Sequence, residues 1–340
     1  MVAAGLAGML LFASCSGESP TPEAQPEPEA TSSPEPPPVC PLTGKKPKGV
    51  NLARPAVAVK VENSPLARPQ SGLEKADVVY EEIVEGGITR FMAIYHCGDT
   101  DKTGPVRSAR FDDPKIALPF TKILGYSGAN SIVERELKQR GLISLTELNA
   151  SSAIYRVPPG SLDVHSLYAN VTKLRKLGIE RGKPKTPSGA FFEFDDLPAK
   201  ARKAKSVRVN FNANITIEWR WQDGAWKRYE SGTPFNTAAG GQVSTPNVLI
   251  QEVDVNNSAT IVDVAGNASP DISLDGTGRA FLFRGGKVIK GTWKTKNRGE
   301  KTIFRTKSGE PFVFETGSTW IELVPSKNGE VKGGIAISRK

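Results

Sequence analysis

The sequence predicts an α+β protein whose two halves differ in character. In residues 40–185, strand-like apolar runs alternate with segments that carry helix-capping residues, which is typical of a mixed sheet with flanking helices. In residues 186–340, short alternating runs recur at intervals of about ten residues between glycine-containing turns, which favours an antiparallel all-β arrangement. We therefore predict an N-terminal domain of α/β type and a C-terminal β-rich domain.

Alternation of apolar residues places the strands of the first half. The valines of RPAVAVKVEN, 54–63, share one face, and ITRFMAIYH, 88–96, reads as a strand after the Gly86-Gly87 break. KILGYSG, 122–128, is a buried strand, whereas ADVVYEEIVE, 76–85, fits either a strand or a short helix.

Capping residues place three helices in the same half. Asp112, Asp113 and Pro114 predict a helix over 112–119. Ser131 as N-cap, Glu134 three residues later and Gly141 as a stop predict a helix over 131–140. Asp163 as a cap and Gly178 as a stop predict a third helix, over 164–177.

The second half reads as a series of short strands. Three glycine-containing pairs, at Asp223-Gly224, Gly285-Gly286 and Ser308-Gly309, predict hairpin turns between them. The predicted strands cover 207–219, 225–230, 247–255, 278–284, 287–293, 302–306, 311–315 and 319–324.

The first fifteen residues, MVAAGLAGMLLFASC, indicate export. An uncharged apolar stretch that ends in Ala13, Ser14 and Cys15 is typical of a bacterial lipoprotein signal, in which Cys15 becomes the lipidated N-terminus. Phe12 replaces the usual leucine, and no lysine or arginine precedes Cys15, which would be explained by a translation start further upstream. A plain secretory signal or a buried core helix are the alternatives.

Residues 16–39, rich in proline, glutamate, serine and threonine, have almost nothing to bury and are predicted to form a disordered tether. Subtracting the five glutamates of this segment from the 36 acidic residues leaves 31 against 45 basic residues, so residues 40–340 carry a formal charge of +14. Such a charge favours anionic partners, which outside a bacterial membrane are lipid headgroups, anionic polymers or peptidoglycan, and not nucleic acid. The alternative is that the lysine excess serves solubility.

The counts of cysteine and histidine restrict the chemistry. Three cysteines and two histidines cannot form a four-cysteine zinc site or a histidine-rich metal centre, so we expect no metal. Because Cys15 is assigned to the lipid and exported proteins oxidise their thiols, we predict a disulfide between Cys40 and Cys97. Two unpaired buried thiols are the alternative.

Several segments resemble one known family. NLARPAVAVKVENSPLARPQSGLEKADVVYEEIVEGGITRFMAIY at 51–95, GPVRSAR at 104–110 and HSLYAN at 165–170 resemble the YerB-like bacterial lipoproteins, the DUF3048 family. Ser166 stands where that family more often has asparagine. NVLIQ at 247–251, GTW at 291–293 and GSTWIELVP at 317–325 resemble the family's C-terminal portion, so the resemblance covers about residues 41–325. It implies a lipid-anchored extracytoplasmic protein and implies no reaction.

The densest group of polar residues lies within this family-like region. Its members are Arg68, Gln70, Asp77, Tyr80, Glu81, Glu85, Thr89, Arg90, Arg107, Ser108, Arg110 and His165. We select Arg68, Glu81, Glu85, Arg90, Arg107, Ser108, Arg110 and His165 as candidate ligand-binding residues.

Three hypotheses for this group remain open. Arg107 and Arg110 would share a face if the chain turned helically from Arg107, forming a cradle for phosphate or carboxylate. In the second hypothesis, Glu81 or Glu85 and His165 transfer protons as general acid and base. Alternatively, the arginines pair with Glu81, Glu85 or Asp77 and only hold the core together.

The other motifs in the sequence give weaker evidence of function. Ser108 lacks a nucleophile-elbow pattern, and no phosphate-binding loop, dinucleotide fingerprint or zinc motif is present, so we expect no cofactor. Trp219, Trp221, Trp226 and Tyr229 read first as hairpin packing pairs and second as a carbohydrate platform.

Together these observations predict a membrane-anchored extracytoplasmic lipoprotein that binds an anionic envelope component without catalysis. The alternative is an enzyme that acts on envelope glycan or a phosphate-linked polymer with Arg107, Arg110, His165 and a carboxylate.

Overall fold

The structure is a computed structural model that describes residues 1, 17, 37–184, 186–187, 190–198, 201–263, 265–297 and 299–339. Strands dominate these residues. The predicted signal with Cys15 and nearly all of the predicted tether at 16–39 lie outside the described residues. No helix in the described part of the chain is long and apolar enough to cross a membrane.

The first half contains seven strands and three α-helices among its described residues. In chain order these are β1 (Val57–Glu62), β2 (Val78–Ile83), β3 (Thr89–Tyr95), α1 (Asp113–Ala117), β4 (Ile123–Gly125), α2 (Ser131–Gln139), β5 (Ile143–Leu145), β6 (Ile154–Arg156), β7 (Leu167–Ala169) and α3 (Val171–Arg181).

The second half contains only strands among its described residues. They are β8 (Glu193–Phe194), β9 (Arg202–Lys203), β10 (Ser206–Asn210), β11 (Thr216–Gln222), β12 (Ala225–Glu230), β13 (Thr233–Pro234), β14 (Ser244–Thr245), β15 (Asn247–Val253), β16 (Val255–Val262), β17 (Ala268–Ile272), β18 (Gly276–Arg284), β19 (Lys287–Thr295), β20 (Ile303–Thr306), β21 (Val313–Phe314), β22 (Thr319–Pro325) and β23 (Gly334–Ser338).

One large mixed sheet joins the two halves. Its strand order is β20-β19-β18-β15-β22-β2-β3-β1-β4-β5, with β9 added at β19. The halves meet where β2 and β22 run parallel, with Glu81 opposite Glu322. Both strands are buried along their whole length, as parallel strands covered on both faces must be. Residues 38–340 accordingly form one compact unit, whereas the sequence pattern predicts two domains, 40–185 and 186–340.

The two faces of this sheet have different partners. The second sheet, in the order β13-β12-β11-β10-β23 with β14 added at β12, contributes Trp219 and Trp226 to the core. Trp219 meets Trp320 of the large sheet edge to face, at a ring-centroid distance of 5.3 Å. Because side chains alternate along a strand, Lys60, Glu62 and Arg90 lie on the opposite face from Trp320.

Two of the helix predictions need correction. The helix that begins at Ser131 is present, but Asn130 caps it, accepting a hydrogen bond from the N–H of Val133 at 2.9 Å. The predicted helix over 164–177 is wrong at both ends, since β7 occupies its first part and α3 begins after Asn170. Pairing of β7 with β6 decides the conformation there, and Gly178 lies inside α3 because the helix packs closely on Ile123.

Most strand predictions agree with the structure within a few residues. The segment 76–85 is a strand, and 207–219 divides into β10 and β11 around a turn. Asp223-Gly224 and Gly285-Gly286 form hairpin turns in which both residues have positive φ, as a type I′ turn requires. The predicted mixed and antiparallel sheets are thus confirmed, whereas the α/β character of the first half is not, since the described residues contain few helices. The predicted disulfide between Cys40 and Cys97 is confirmed.

Candidate functional site

Glu62, the last residue of β1, is the centre of a polar site on the face of the large sheet where Lys60 meets Asp113 of α1. The side chain is buried, and its Oε2 lies 3.0 Å from Nε of Arg107 and 2.9 Å from Nδ1 of His165. Its Oε1 accepts a hydrogen bond from the hydroxyl of Ser64 at 2.7 Å. Arg107 and His165 keep 24% and 19% of their side chains exposed, so this part of the site reaches solvent.

Two neighbouring guanidinium groups converge on one carbonyl oxygen. Arg90 donates from Nη1 to the carbonyl of Ser108 at 2.9 Å, and Arg110 donates from Nη1 to the same oxygen at 3.3 Å. Arg110 also pairs with Glu85, whereas Arg90 forms no ion pair with a carboxylate among the described residues. Burial, and then the nearby charge of Arg110, lower the pKa of Arg90 to about 9. The site therefore brings two guanidinium groups close together, next to the partly exposed side chains of Arg107 and His165.

Beneath these arginines lies a fully buried lysine. Lys60, two residues before Glu62 on the same face of β1, pairs with Glu82 and donates to Asp113 Oδ1 at 2.6 Å. Burial lowers the pKa of Lys60 to about 8, against the opposing effect of Asp113. The two carboxylates neutralise Lys60, so the lysine is part of the support beneath the site.

The chain around Ser108 does not turn helically. Residues 107–110 are irregular and precede α1, and the N–H of Arg107 donates to the carbonyl of Lys60 at 3.0 Å. Arg107 and Arg110 consequently reach different carboxylates, Glu62 and Glu85, and the cradle predicted from a helical turn is not formed. Arg90 and Arg110 are brought together instead.

Glu81 and Arg68 belong to a second cluster on the opposite face of the sheet. Arg228, fully buried, donates to both oxygens of Glu81 at 3.1 and 3.0 Å and to Glu230 at 3.0 Å. Arg68 pairs with Glu230 as well. This cluster is covered by the second sheet and rings such as Phe235, which lies 4.0 Å from the Arg228 guanidinium carbon.

The remaining predicted residues have structural contacts. Thr89 donates to Glu81 at 2.7 Å, and Gln70, fully buried, donates to the carbonyl of Glu62 at 3.0 Å. Asp77 accepts hydrogen bonds from the N–H groups of His96 and Gly98 at the far end of β3, and burial raises its pKa. Tyr80 packs against Phe120.

Sequence reasoning missed Glu62, Lys60 and Arg228. Lys60 and Glu62 were visible as charged residues alternating with the valines of β1, a signal for either a solvent-facing strand or a buried polar site. Nothing in the sequence separates those two cases. Arg228 lies on β12, two residues after Trp226, which pairs with Trp221 across the hairpin. Its side chain points inward because this hairpin packs on the large sheet, and that contact is not visible in the local sequence.

No group of three or more histidine, cysteine, aspartate or glutamate residues that could hold a metal ion is present in the described parts of the chain.

Comparisons with known proteins give a consistent result. Residues 42–184 match the model of the N-terminal domain of the DUF3048 proteins of unknown function, and residues 207–321 match the model of the C-terminal domain. The chain is 32% identical over 294 residues to "Putative lipoprotein YerB" of Bacillus subtilis (strain 168), covering 84% of this chain and 86% of that protein. The crystal structure of the Bacillus subtilis YerB protein superposes with a TM-score of 0.72 at 29% identity, covering 88% of this chain and 99% of that one.

Proposed function

The chain belongs to the DUF3048 family, and from that membership we propose that it is a lipoprotein whose residues 40–340 lie outside the cell membrane. The Ala13-Ser14-Cys15 boundary and the relative's name as a lipoprotein support lipidation of Cys15. The Cys40–Cys97 disulfide supports an oxidising compartment. Expressed with a complete signal, Cys15→Ser should leave the membrane fraction, and a variant that stays membrane-bound through high-salt washing would place the anchor elsewhere.

We further propose that the site around Arg90, Arg107, Arg110 and His165 binds a phosphate or carboxylate group of an anionic envelope polymer. The observation that carries this proposal is the convergence of Arg90 and Arg110 on the carbonyl of Ser108, with no carboxylate paired to Arg90 among the described residues. Two guanidinium groups side by side repel each other, and an anion between them would remove that cost. A polymer of repeated phosphates also suits the formal charge of +14 on residues 40–340.

The site lies far from the disulfide at the start of the folded part. Arg90 lies at the beginning of β3, while Cys97, bonded to Cys40 at the start of the folded part, follows its end. Seven residues of extended chain separate them by about 23 Å. The site therefore lies at the end of β3 remote from the point where residues 16–39 join the fold.

Binding of poly(glycerol phosphate) to the purified protein, measured by calorimetry, tests this proposal. We expect Arg90→Gln to weaken binding ten- to a hundredfold, about 1.5–3 kcal/mol, because a charge-assisted hydrogen bond is lost. The melting temperature should change little, because removal of a crowded charge offsets the loss of the hydrogen bond to the carbonyl of Ser108. Unchanged binding with a melting temperature several degrees lower would make Arg90 a purely structural residue.

A second function, hydrolysis of such a polymer, is favoured by one observation. Glu62 holds Nδ1 of His165 at 2.9 Å, which directs Nε2 of the ring away from Glu62, as in sites where a carboxylate orients a histidine base. Arg107 on the same carboxylate could hold a phosphate next to that nitrogen. Release of glycerol phosphate that disappears in His165→Gln would support the enzyme, and its absence in the unmodified protein would contradict it.

A further inference from the structure

A groove of about 940 Å³ runs along β23, the last strand of the second sheet. It is lined by other residues than the site around Arg90 and Arg110. One wall consists of seven consecutive residues, Gly333 to Arg339, which include all of β23. The other wall comes from the large sheet, with Phe281 of β18 and Lys290 of β19. The groove thus runs along a strand, with an aromatic ring and a cation opposite.

Strand β23 is an edge strand in the described structure, with β10 as its one neighbour. The hydrogen-bond pattern of β10 shows which way the backbone of β23 points. Trp221 donates to the carbonyl of Lys205 and Phe211 donates to that of Ile215, so Val207 and Val209 between them bond to β11. In an antiparallel ladder the even-numbered residues then bond to β23. At the end of the ladder the alternation breaks, because the N–H of Lys205 donates to the carbonyl of Ser338 in β23 at 2.8 Å.

This alternation leaves two residues of β23 directed away from β10. Gly334 and Ala336 stand opposite Asn210 and Arg208 and bond inward, so the main-chain groups of Ile335 and Ile337 point outward. Among the described residues these outward groups have no hydrogen-bond partner. Such a row of unpaired donors and acceptors is the template on which an added strand forms.

The charges around the groove select an acidic occupant. Four basic residues line it, Arg279, Lys290, Lys327 and Arg339, against one carboxylate, Glu252. Glu252 is paired with Arg279, which still exposes 69% of its side chain. Two copies of this edge strand would bring the basic walls together, so like-charge repulsion disfavours pairing of β23 with itself.

We propose that β23 binds, by strand addition, an extended acidic segment of a partner protein. The segment lies in the groove with its backbone bonded to Ile335 and Ile337. Its glutamate or aspartate side chains meet Lys290 and Arg279, and apolar side chains at alternate positions contact Phe281.

A fluorescent heptapeptide of alternating glutamate and valine, with a lysine–valine peptide as its counterpart, tests the proposal on the purified full chain. We expect saturable binding of the acidic peptide, no binding of the basic one, and at least tenfold slower hydrogen exchange at the amides of Ile335 and Ile337. Binding without this protection, or no saturable binding below about 1 mM, overturns strand addition.

Two matched pairs of variants distinguish backbone hydrogen bonding from charge attraction. Ile337→Pro removes an outward N–H and keeps the inward ladder, so peptide binding should fall at least tenfold, whereas Ile337→Val should bind normally. Lys290→Glu should weaken binding, and Lys294→Glu, exposed on the same strand outside the groove, should not. Equal effects of the two lysine variants, or a concentration-dependent dimer that Ile337→Pro abolishes, would contradict the acidic-peptide proposal.

Discussion

Two buried glutamates stand opposite each other in the parallel ladder of β2 and β22. Burial raises the pKa of both Glu81 and Glu322, and Arg228 opposes that shift most strongly at Glu81, to which it donates at 3.0 and 3.1 Å. Oε2 of Glu322 has no hydrogen-bond partner among the described residues. We infer that Glu81 is ionised and Glu322 protonated at neutral pH.

The two glutamines that replace these acids should therefore behave differently. Glu322→Gln should change the free energy of unfolding by no more than about 1 kcal/mol, because an uncharged group replaces an uncharged one. Glu81→Gln should cost about 3–5 kcal/mol, because Arg228 loses a buried counterion. Urea denaturation at pH 7 measures both, and equal losses would refute the assigned protonation.

A second prediction for single residues concerns the buried Lys60. Lys60→Met should lower the free energy of unfolding by about 3–5 kcal/mol, because Glu82 and Asp113 stay buried without their cation. The matched change Arg140→Met removes an exposed ion pair with Glu136 and should cost about 0.5 kcal/mol.

The lowered pKa of Lys60 also predicts how the stability of the fold changes with pH. Its pKa in the fold, about 8, lies below the value of 10.5 in the unfolded chain, so the unfolded chain binds more protons between those values. The contribution of Lys60 to stability accordingly rises with pH across this range, and the slope should disappear in Lys60→Met. An identical slope in the variant would show that Lys60 does not titrate as described.

At the scale of single elements, local sequence patterns predict strands better than helix limits. The alternation in 54–63 and the paired positive-φ turns are local, so β1 and the hairpins were predictable. The helix over 164–177 was not, because β7 depends on pairing with β6 and the close approach of α3 to β4 lets Gly178 lie within a helix.

Gly178→Ala tests that packing. A Cβ at this position would lie 2.4 Å from Cδ1 of Ile123, so we expect a loss of about 1–3 kcal/mol in spite of alanine's higher helix propensity. Lys176→Ala, at an exposed position of the same helix, is the control and should be nearly neutral. Stabilisation by Gly178→Ala in thermal denaturation would show that α3 can move away from β4.

At the scale of the whole molecule, the pairing of β2 with β22 joins segments about 240 residues apart. No local pattern reveals such a neighbour, so the sequence suggested two halves and did not reveal their common sheet. The same limit applies to the candidate site. Its arginines were predictable as a polar group, but the central position of Glu62 was not, because it depends on which face of β1 packs toward α1.

This shared sheet predicts that residues 40–185 do not fold alone. Without β22, the fully buried strand β2 would lose its parallel neighbour and expose its edge. We expect the isolated fragment to show little dispersion of amide signals in NMR spectra and the whole protein to unfold in one transition. A fragment that unfolds cooperatively would establish two independent domains.

In the function proposed above, Arg90 and Arg110 together hold an anionic group of the envelope. The most direct measurement is an NMR titration of isotope-labelled arginine side chains with poly(glycerol phosphate). We predict that the Nε–H signals of Arg90 and Arg110 shift together and saturably, while that of Arg305, exposed on β20, stays unchanged. Shifts spread evenly over the exposed arginines, with Arg90 unmoved, would contradict the claim and indicate non-specific attraction by a basic surface.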